Sequence, residues 1–381
     1  FATSQYVLKL QDLAEARGVD PEKFSKGLLL NEISIAPLTE DIVTLAASVS
    51  NSILTDKEKE EIDMVIVATE SGIDQSKAAA VFVHGLLGIQ PFARSFEIKE
   101  ACYGATAALH YAKLHVENSP ESKVLVIASD IAKYGVGTPG EPTQGAGSVA
   151  MLITQNPRIM AFNNDNVAQT RDIMDFWRPN YSSTPYVNGM YSTQQYLDCL
   201  TTTWDEYKKR YDWTMDDFAA ICFHLPYPKL ALKGLRKMMD KTLSQEKKDS
   251  LQENFDKSIL YSQMIGNIYT GSLFLGLLSL LENAETLKAG DKIALYSYGS
   301  GAVSEFFSGE LVEGYEAYLD KERLSKLKQR TALSVADYEK VFFEEVQLDE
   351  SGSAQFAAYE HQDYALVEIV DHQRRYSKVE K

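Results

Sequence analysis

Four residues of this chain, Glu70, Cys102, His224 and Asn267, pair reactive or polar side chains with places where strands should end or helices begin. Open α/β sheets build their sites in such loops. Cys102 follows the polar stretch Phe96-Glu-Ile-Lys-Glu100 and precedes Gly104-Ala-Thr-Ala-Ala-Leu109, which reads as a small-residue helix. A cysteine at the first turn of a buried helix faces unpaired backbone N–H groups and the positive end of the helix dipole. That setting is expected to favour the thiolate, the form that attacks acyl groups. Each residue also has an ordinary reading. Cys102 suits a small core thiol, Glu70 a helix cap, His224 a satisfied strand-end histidine, and Asn267 an N-cap. Gly299-Ser-Gly301 suits a tight turn. Only their conjunction points to a site.

The elements that must position these residues repeat. Residues 63–69 form a continuous apolar, β-branched run ending at Glu70, and residues 123–129 form a second run ending at Asp130. Both read as strands buried on two faces. A Gly/Pro loop over 137–147 and a strand over 148–154 follow. The second half offers a strand over 218–223 ending at His224, then a turn at Asn267 opening an apolar helix over 272–281. Strands over 292–298 and 302–311 flank Gly299-Ser-Gly301. The order matches: 64–69 with 219–223, Cys102 with Asn267, 124–129 with 293–297. Alternating strands and helices imply α/β units, and a duplication brings the loops of both halves together. Further helices are expected over 8–17, 41–54, 77–87 and 191–211, and a solvated one over 243–255. Residues 177–190 read as an irregular aromatic-rich insertion. The tail beyond about residue 320 alternates helical and extended pieces and carries no legible chemistry.

Composition narrows the classes. The chain has 381 residues, 45% of them hydrophobic, enough for a large core and two similar halves. A net charge of −16 argues against a general nucleic-acid or anionic-membrane binder. Cys102, Cys199 and Cys222 are odd in number and lack C-x-x-C spacing, so neither a disulfide framework nor a structural metal site is expected, and a reducing cytoplasm fits. The longest apolar run, residues 273–281, is too short to span a bilayer. No signal-peptide pattern is visible, and a start at Phe1 rather than Met suggests that the natural beginning is missing. Gly145-Ala-Gly147 lacks a third glycine and precedes a strand, so it is no dinucleotide fingerprint.

Taken in order, the motifs resemble bacterial 3-hydroxy-3-methylglutaryl-CoA (HMG-CoA) synthases of the thiolase superfamily. They are Val-Ala-Thr-Glu70-Ser, Phe-Glu-Ile-Lys-Glu-Ala-Cys102-Tyr, Gly-Glu-Pro-Thr-Gln-Gly-Ala-Gly147 and Asp175-Phe-Trp-Arg-Pro179 in the first part. Cys-Phe-His224-Leu-Pro, Gly-Asn267-Ile-Tyr-Thr-Gly-Ser272 and Tyr-Ser-Tyr-Gly-Ser300-Gly follow. The resemblance runs from about Leu13 to about Tyr315. It implies an α/β fold of five αβαβα layers in two similar halves, residues 1–158 and 159–381, the second carrying family-specific insertions. It also implies a cytoplasmic homodimer that condenses acetyl-CoA with acetoacetyl-CoA and water through an acetyl-S-Cys102 intermediate. No cofactor or metal is implied, because the coenzyme A thioesters are substrates.

By resemblance Glu70 is the general base, Cys102 the nucleophile, and His224 the donor to the alkoxide formed from the ketone. Asn267 holds the acetoacetyl thioester or the histidine. Backbone N–H groups at Cys102 and near Ser300 are candidate oxyanion donors. Thr143, Ser192 and Tyr196 match positions that contact acyl chain or pantetheine. Lys229 and Lys233 lie i, i+4 on one helix face, Lys233 being the position the family uses, where they would meet CoA phosphates unless they form only a solvated basic face. Three rival activities remain: a β-ketoacyl synthase, carrier-protein-dependent β-branching in the same superfamily, and a cysteine acyl-thioester hydrolase that would need no Glu70.

Overall fold

The computed structural model describes residues 1–359 and 361–380. Its first sheet contains β1 (Ala2–Thr3), β2 (Ile62–Ala68), β3 (Arg94–Ile98), β4 (Lys123–Ala132) and β5 (Gly145–Ile153), in the order β1-β5-β4-β2-β3. Its second contains β6 (Met160–Phe162), β7 (Val167–Thr170), β8 (Ala220–Phe223), β9 (Lys292–Gly299) and β10 (Val303–Leu311), in the order β8-β9-β10 with β6 and β7 both on β10. The inferred repeat is explicit in the pairing. β2–β4 is parallel and β4–β5 antiparallel, while β8–β9 is parallel and β9–β10 antiparallel.

The principal helices are α1 (Ile42–Ile53), α2 (Ala79–Leu87), α3 (Gly104–Asn118), α4 (Gly189–Tyr211), α5 (Pro228–Met238), α6 (Gln245–Ser258), α7 (Ser272–Asn283) and α8 (Val335–Phe343). Side-chain alternation sorts them into layers. Val65 and Val67 of β2 pack outward with α1 and α2. Met64, Ile66 and Ala68 turn inward onto α3 and α7, where Cys222, Ile293 and Leu295 meet them from the second sheet. Ile221, Phe223, Ala294 and Tyr296 face α4, α5 and α6 on the far side. The five-layered arrangement thus follows from strands apolar on both faces, with α3 and α7, the two repeat-matched helices, at the centre.

Several boundaries differ from expectation for local reasons. Leu8 lies in a strand, Tyr6–Lys9, paired with Glu32–Ile35, and the first helix starts only at Leu10. β4 continues past Asp130 to Ala132 because β5 already begins at Gly145, inside the expected loop. Gly145 allows this: a Cβ there would lie 2.5 Å from the Asn267 carbonyl oxygen. The 177–190 segment carries a small antiparallel ladder, Phe176–Trp177 with Tyr186–Val187. α6 is not wholly solvated, since Leu251 and Phe255 are buried. Asp41 caps α1 by accepting the Val43 and Thr44 N–H groups at 2.9 and 3.2 Å. Beyond residue 320 the chain contributes α8 and a three-stranded sheet ending at Lys378.

Candidate active site

Parallel registry between β2 and β4 sets Ala68 beside Ala128, so the residues that follow, Glu70 and Asp130, emerge together at one sheet end. Asp130 is fully buried. Its Oδ1 accepts Thr69 Oγ1 (2.8 Å), the Glu70 N–H (2.9 Å), the Ser71 N–H (3.1 Å) and Ser71 Oγ (2.8 Å). Its Oδ2 accepts the Thr270 N–H (3.1 Å) and Thr270 Oγ1 (2.5 Å). This carboxylate ties the Glu70 turn to the Asn267 turn of the other half. Arg178 donates to the Glu70 carbonyl oxygen.

Cys102 precedes α3 in a turn where Ala101 takes a left-handed φ of +40°, strained for a residue with a Cβ. Cys102 Sγ donates to Glu70 Oε1 at 3.2 Å. Tyr103 Oη donates to the buried Glu305 of β10 at 2.6 Å, pinning the turn to the second sheet. Gly299 completes the contact: a Cβ there would sit 2.7 Å from the Glu100 carbonyl oxygen and 2.7 Å from the Tyr103 nitrogen. Glycine is therefore required for the end of β9 to lie against the cysteine turn.

The titration state departs from the thiolate expectation. Burial, then the neighbouring Glu70 charge, pushes the Cys102 thiol well above its ordinary range. Burial, then the Asp130 charge, raises Glu70 to about 8. A dipole at a helix end is a modest term; desolvation beside two carboxylates outweighs it. The resting pair is a thiol donating to a carboxyl group.

His224 is buried. Its N–H donates to the Tyr296 carbonyl at 2.7 Å, and its own carbonyl accepts Tyr196 Oη at 2.9 Å. Burial lowers its pKa to about 3, so the imidazole is neutral. Nδ1 has no hydrogen-bond partner among the described residues. Asn267 Oδ1 accepts the Tyr269 N–H (2.9 Å) and Ser272 Oγ (2.8 Å), and its Nδ2 donates to Tyr134 Oη (3.0 Å). The Asn267 N–H donates to the Thr143 carbonyl at 3.1 Å. Ser192 Oγ reaches Asp175 Oδ2 at 3.3 Å; Asp175 also accepts Tyr298 Oη (2.8 Å) and the Gly301 N–H (3.0 Å). That Gly301 N–H is thus already committed.

Of the residues expected from sequence, Glu70 and Cys102 are in direct contact. Thr143 meets Asn267 through backbone, Tyr196 meets His224, Ser192 joins the Ser300 loop through Asp175, and Lys233 is exposed on α5. Two clefts, of about 540 and 450 Å³, converge on Glu70, Lys99 and Arg178. Sequence reasoning assigned no role to Asp130, Asp175 or Arg178, although it met the first at a strand end and the other two in a motif, and it missed Tyr134. For Asp130 a signal existed: like Glu70 it closes a buried apolar run, and parallel neighbours place such residues side by side.

Comparison with known proteins decides the lineage. Residues 1–158 match the family model for the hydroxymethylglutaryl-coenzyme A synthase N-terminal region, and residues 166–247 and 236–378 match that for the C-terminal region. The chain belongs to the hydroxymethylglutaryl-CoA synthase family. It is 54% identical to the Enterococcus faecalis hydroxymethylglutaryl-CoA synthase over 92% of this chain and 91% of that one. A solved HMG-CoA synthase complexed with CoA superposes with a TM-score of 0.98 at 68% identity, covering 99% of this chain and 97% of that one. The Bacillus subtilis polyketide 3-hydroxy-3-methylglutaryl-ACP synthase PksG is 32% identical over 88% of this chain and 84% of its own length. Within its family the chain is an acyltransferase that condenses acetyl-CoA with acetoacetyl-CoA to HMG-CoA, and its five-layered arrangement of two sheets is that of the thiolase-like fold.

Proposed function

We propose that this HMG-CoA synthase works by covalent catalysis on Cys102, with Glu70 as the base that serves it. The 3.2 Å contact between Cys102 Sγ and Glu70 Oε1 carries the reading. Ionised Glu70 takes the thiol proton as sulfur attacks acetyl-CoA; CoA leaves as its thiol and the acetyl group stays on Cys102. Glu70 then removes a methyl proton, and the carbon nucleophile adds to the ketone of acetoacetyl-CoA. A neutral His224, unpartnered at Nδ1, donates a hydrogen bond to the alkoxide, which takes up the proton that Glu70 removed from the methyl group, so the 3-hydroxyl forms and Glu70 returns to its ionised state. Asn267 and Thr143 set the wall beside it, Ser192 and Ser300 the acyl pocket, and Tyr196 holds the His224 backbone from below. Lys229 and Lys233 take the CoA phosphates at the α5 face. Hydrolysis of the Cys102 thioester ends the cycle. Identity of 54% to a CoA-named relative against 32% to a carrier-protein-named one favours free CoA substrates.

Intact-mass analysis after mixing with acetyl-CoA tests the core of this reading. An acetyl adduct mapped to Cys102 and discharged to HMG-CoA by acetoacetyl-CoA is expected. An adduct on another residue, or none, would overturn it.

The chain is also proposed to act as a homodimer in the cytoplasm. β3 is an edge strand, paired with β2 on one side and with no strand on the other among the described residues, a feature proteins rarely leave open to water. Beside it Phe96 packs edge-on against Tyr111, and Tyr111 and Leu114 of α3 are exposed at 49% and 65%. Leu114→Glu is expected to move the sedimentation coefficient from dimer to monomer; an unchanged dimer would place the interface elsewhere. Free thiols at Cys102, Cys199 and Cys222 accord with a reducing compartment. Among the described residues no helix is long and apolar enough to cross a membrane.

A further inference from the structure

The last step of the cycle has a transport problem. The condensed intermediate is attached at both ends, to Cys102 through its thioester and to CoA through the other acyl end. While it is bound, the CoA arm fills the route by which the thioester arrived. Water must still reach the Cys102 acyl carbon, and a proton must leave.

The 540 Å³ cleft reaches Glu70 by a different approach. Its wall includes Ser71, Gln75, Glu97, Lys133 and Ser183. Neither Lys229 nor Lys233, nor Thr143, Ser192, His224 or Asn267, lines it. It is thus separate from every group proposed to hold CoA or the acyl chain, yet Glu70 forms part of its wall. Its lining mixes Ile42, Ile73 and Ile131 with charged and hydroxyl side chains, which gives water several polar partners along the way to Glu70. Arg178, bonded to the Glu70 carbonyl, stands between it and the second cleft. Half-buried Glu97 accepts the Ala79 N–H at 2.9 Å along the same wall and offers a second carboxylate for a departing proton.

We propose that this cleft is the water inlet and proton outlet for thioester hydrolysis. The inference rests on the reading that CoA binds at the α5 face. A water in the cleft loses a proton to Glu70 as its oxygen bonds to the acyl carbon. The C–S bond breaks, sulfur keeps the electron pair and recovers one proton as the Cys102 thiol, and the second proton leaves through the cleft as the product carboxylate ionises. One water is consumed and one proton released.

Bulk in the cleft mouth tests this. Ser183→Trp and Gln75→Trp place indole in the cleft, while Thr184→Trp adds the same bulk one residue outside its wall. Both cleft variants are expected to form acetyl-Cys102 at the wild-type rate, since that step uses no water. With both thioesters present they should hydrolyse about tenfold more slowly and accumulate a covalent adduct of HMG-CoA mass in quenched intact-mass spectra. Thr184→Trp should not accumulate it. Slower acetylation or a raised KM for either thioester would make the cleft the substrate entry and overturn the proposal, as would no change in adduct accumulation. The underlying reading fails separately: Lys233→Ala should raise KM for the thioesters about tenfold, and an unchanged KM would remove CoA from the α5 face while the tryptophan variants still report on water.

Discussion

Cys102→Ala is expected to leave a folded protein with turnover reduced by roughly 10⁵-fold or more, the scale on which loss of a nucleophile costs a covalent enzyme. The fold should survive because among the described residues the sulfur hydrogen-bonds to Glu70, whereas the turn itself is held by backbone and neighbours. The Tyr103 N–H donates to the Glu100 carbonyl at 2.9 Å, Tyr103 Oη is bound to Glu305, and Gly299 is seated against both Glu100 and Tyr103. Alanine also relieves one constraint, since Glu70 loses a donor. Circular dichroism should therefore match wild type while acetyl-CoA produces no adduct. Cys102→Ser is the sharper comparison. A hydroxyl can still donate to Glu70, but it is a poorer nucleophile toward a thioester and a much weaker acid than a thiol. It should be nearly as inactive as alanine. Substantial serine activity would mean that the hydrogen-bonded geometry, not sulfur chemistry, carries the first step.

The two sheets and their duplication were legible because each principal strand is apolar on both faces and ends in a polar residue. Glu70 and His224 close equivalent strands, and Cys102 and Asn267 open the two central helices, as the order of motifs implied. The ionisation of Cys102 was not legible. It depends on how closely Glu70 and Asp130 approach a sulfur 32 and 28 residues away, which is a property of packing between β2, β4 and the α3 turn. Asp130 shows a related limit. Its position after an apolar run was visible, but its six donors come from residues 69–71 and from Thr270 in the other half. Asp175 likewise acquires its role only when β9 delivers Tyr298 and the turn after it the Gly301 N–H. Tyr196 was expected to contact acyl chain or pantetheine; that its hydroxyl also donates to the His224 carbonyl is a contact across the second half that spacing does not show. Chemistry was written in residue types and local spacing; charge state and support arise from contacts made across the repeat.

Glu70→Gln should separate the steps of the reaction and also raise stability. Glutamine keeps the shape of the side chain but cannot accept a proton. Condensation is expected to fall about 10²–10⁴-fold, the range for removing a positioned base. Acetyl-Cys102 should still form, more slowly, because the leaving thiol proton has lost its nearest acceptor. Equal loss of both steps would remove the methyl-deprotonation role from Glu70. In the wild type the base form requires ionisation of a group raised to about 8, so kcat/KM should climb through the neutral range and level off above about pH 8. Stability runs in the opposite direction. The folded state holds the Glu70 proton to higher pH than the unfolded chain does, so between the ordinary carboxyl range and about pH 8 the native state binds more protons. Stability contributed at this site is present at low pH and falls as pH rises through that window. Glutamine carries no such charge to bury. The variant should therefore melt at a higher temperature than wild type at pH 8 to 9, with the difference shrinking toward pH 5, when both are followed by circular dichroism. A melting difference independent of pH would mean that Glu70 is not held as a buried, reluctant base, and the site would have to find its proton acceptor elsewhere.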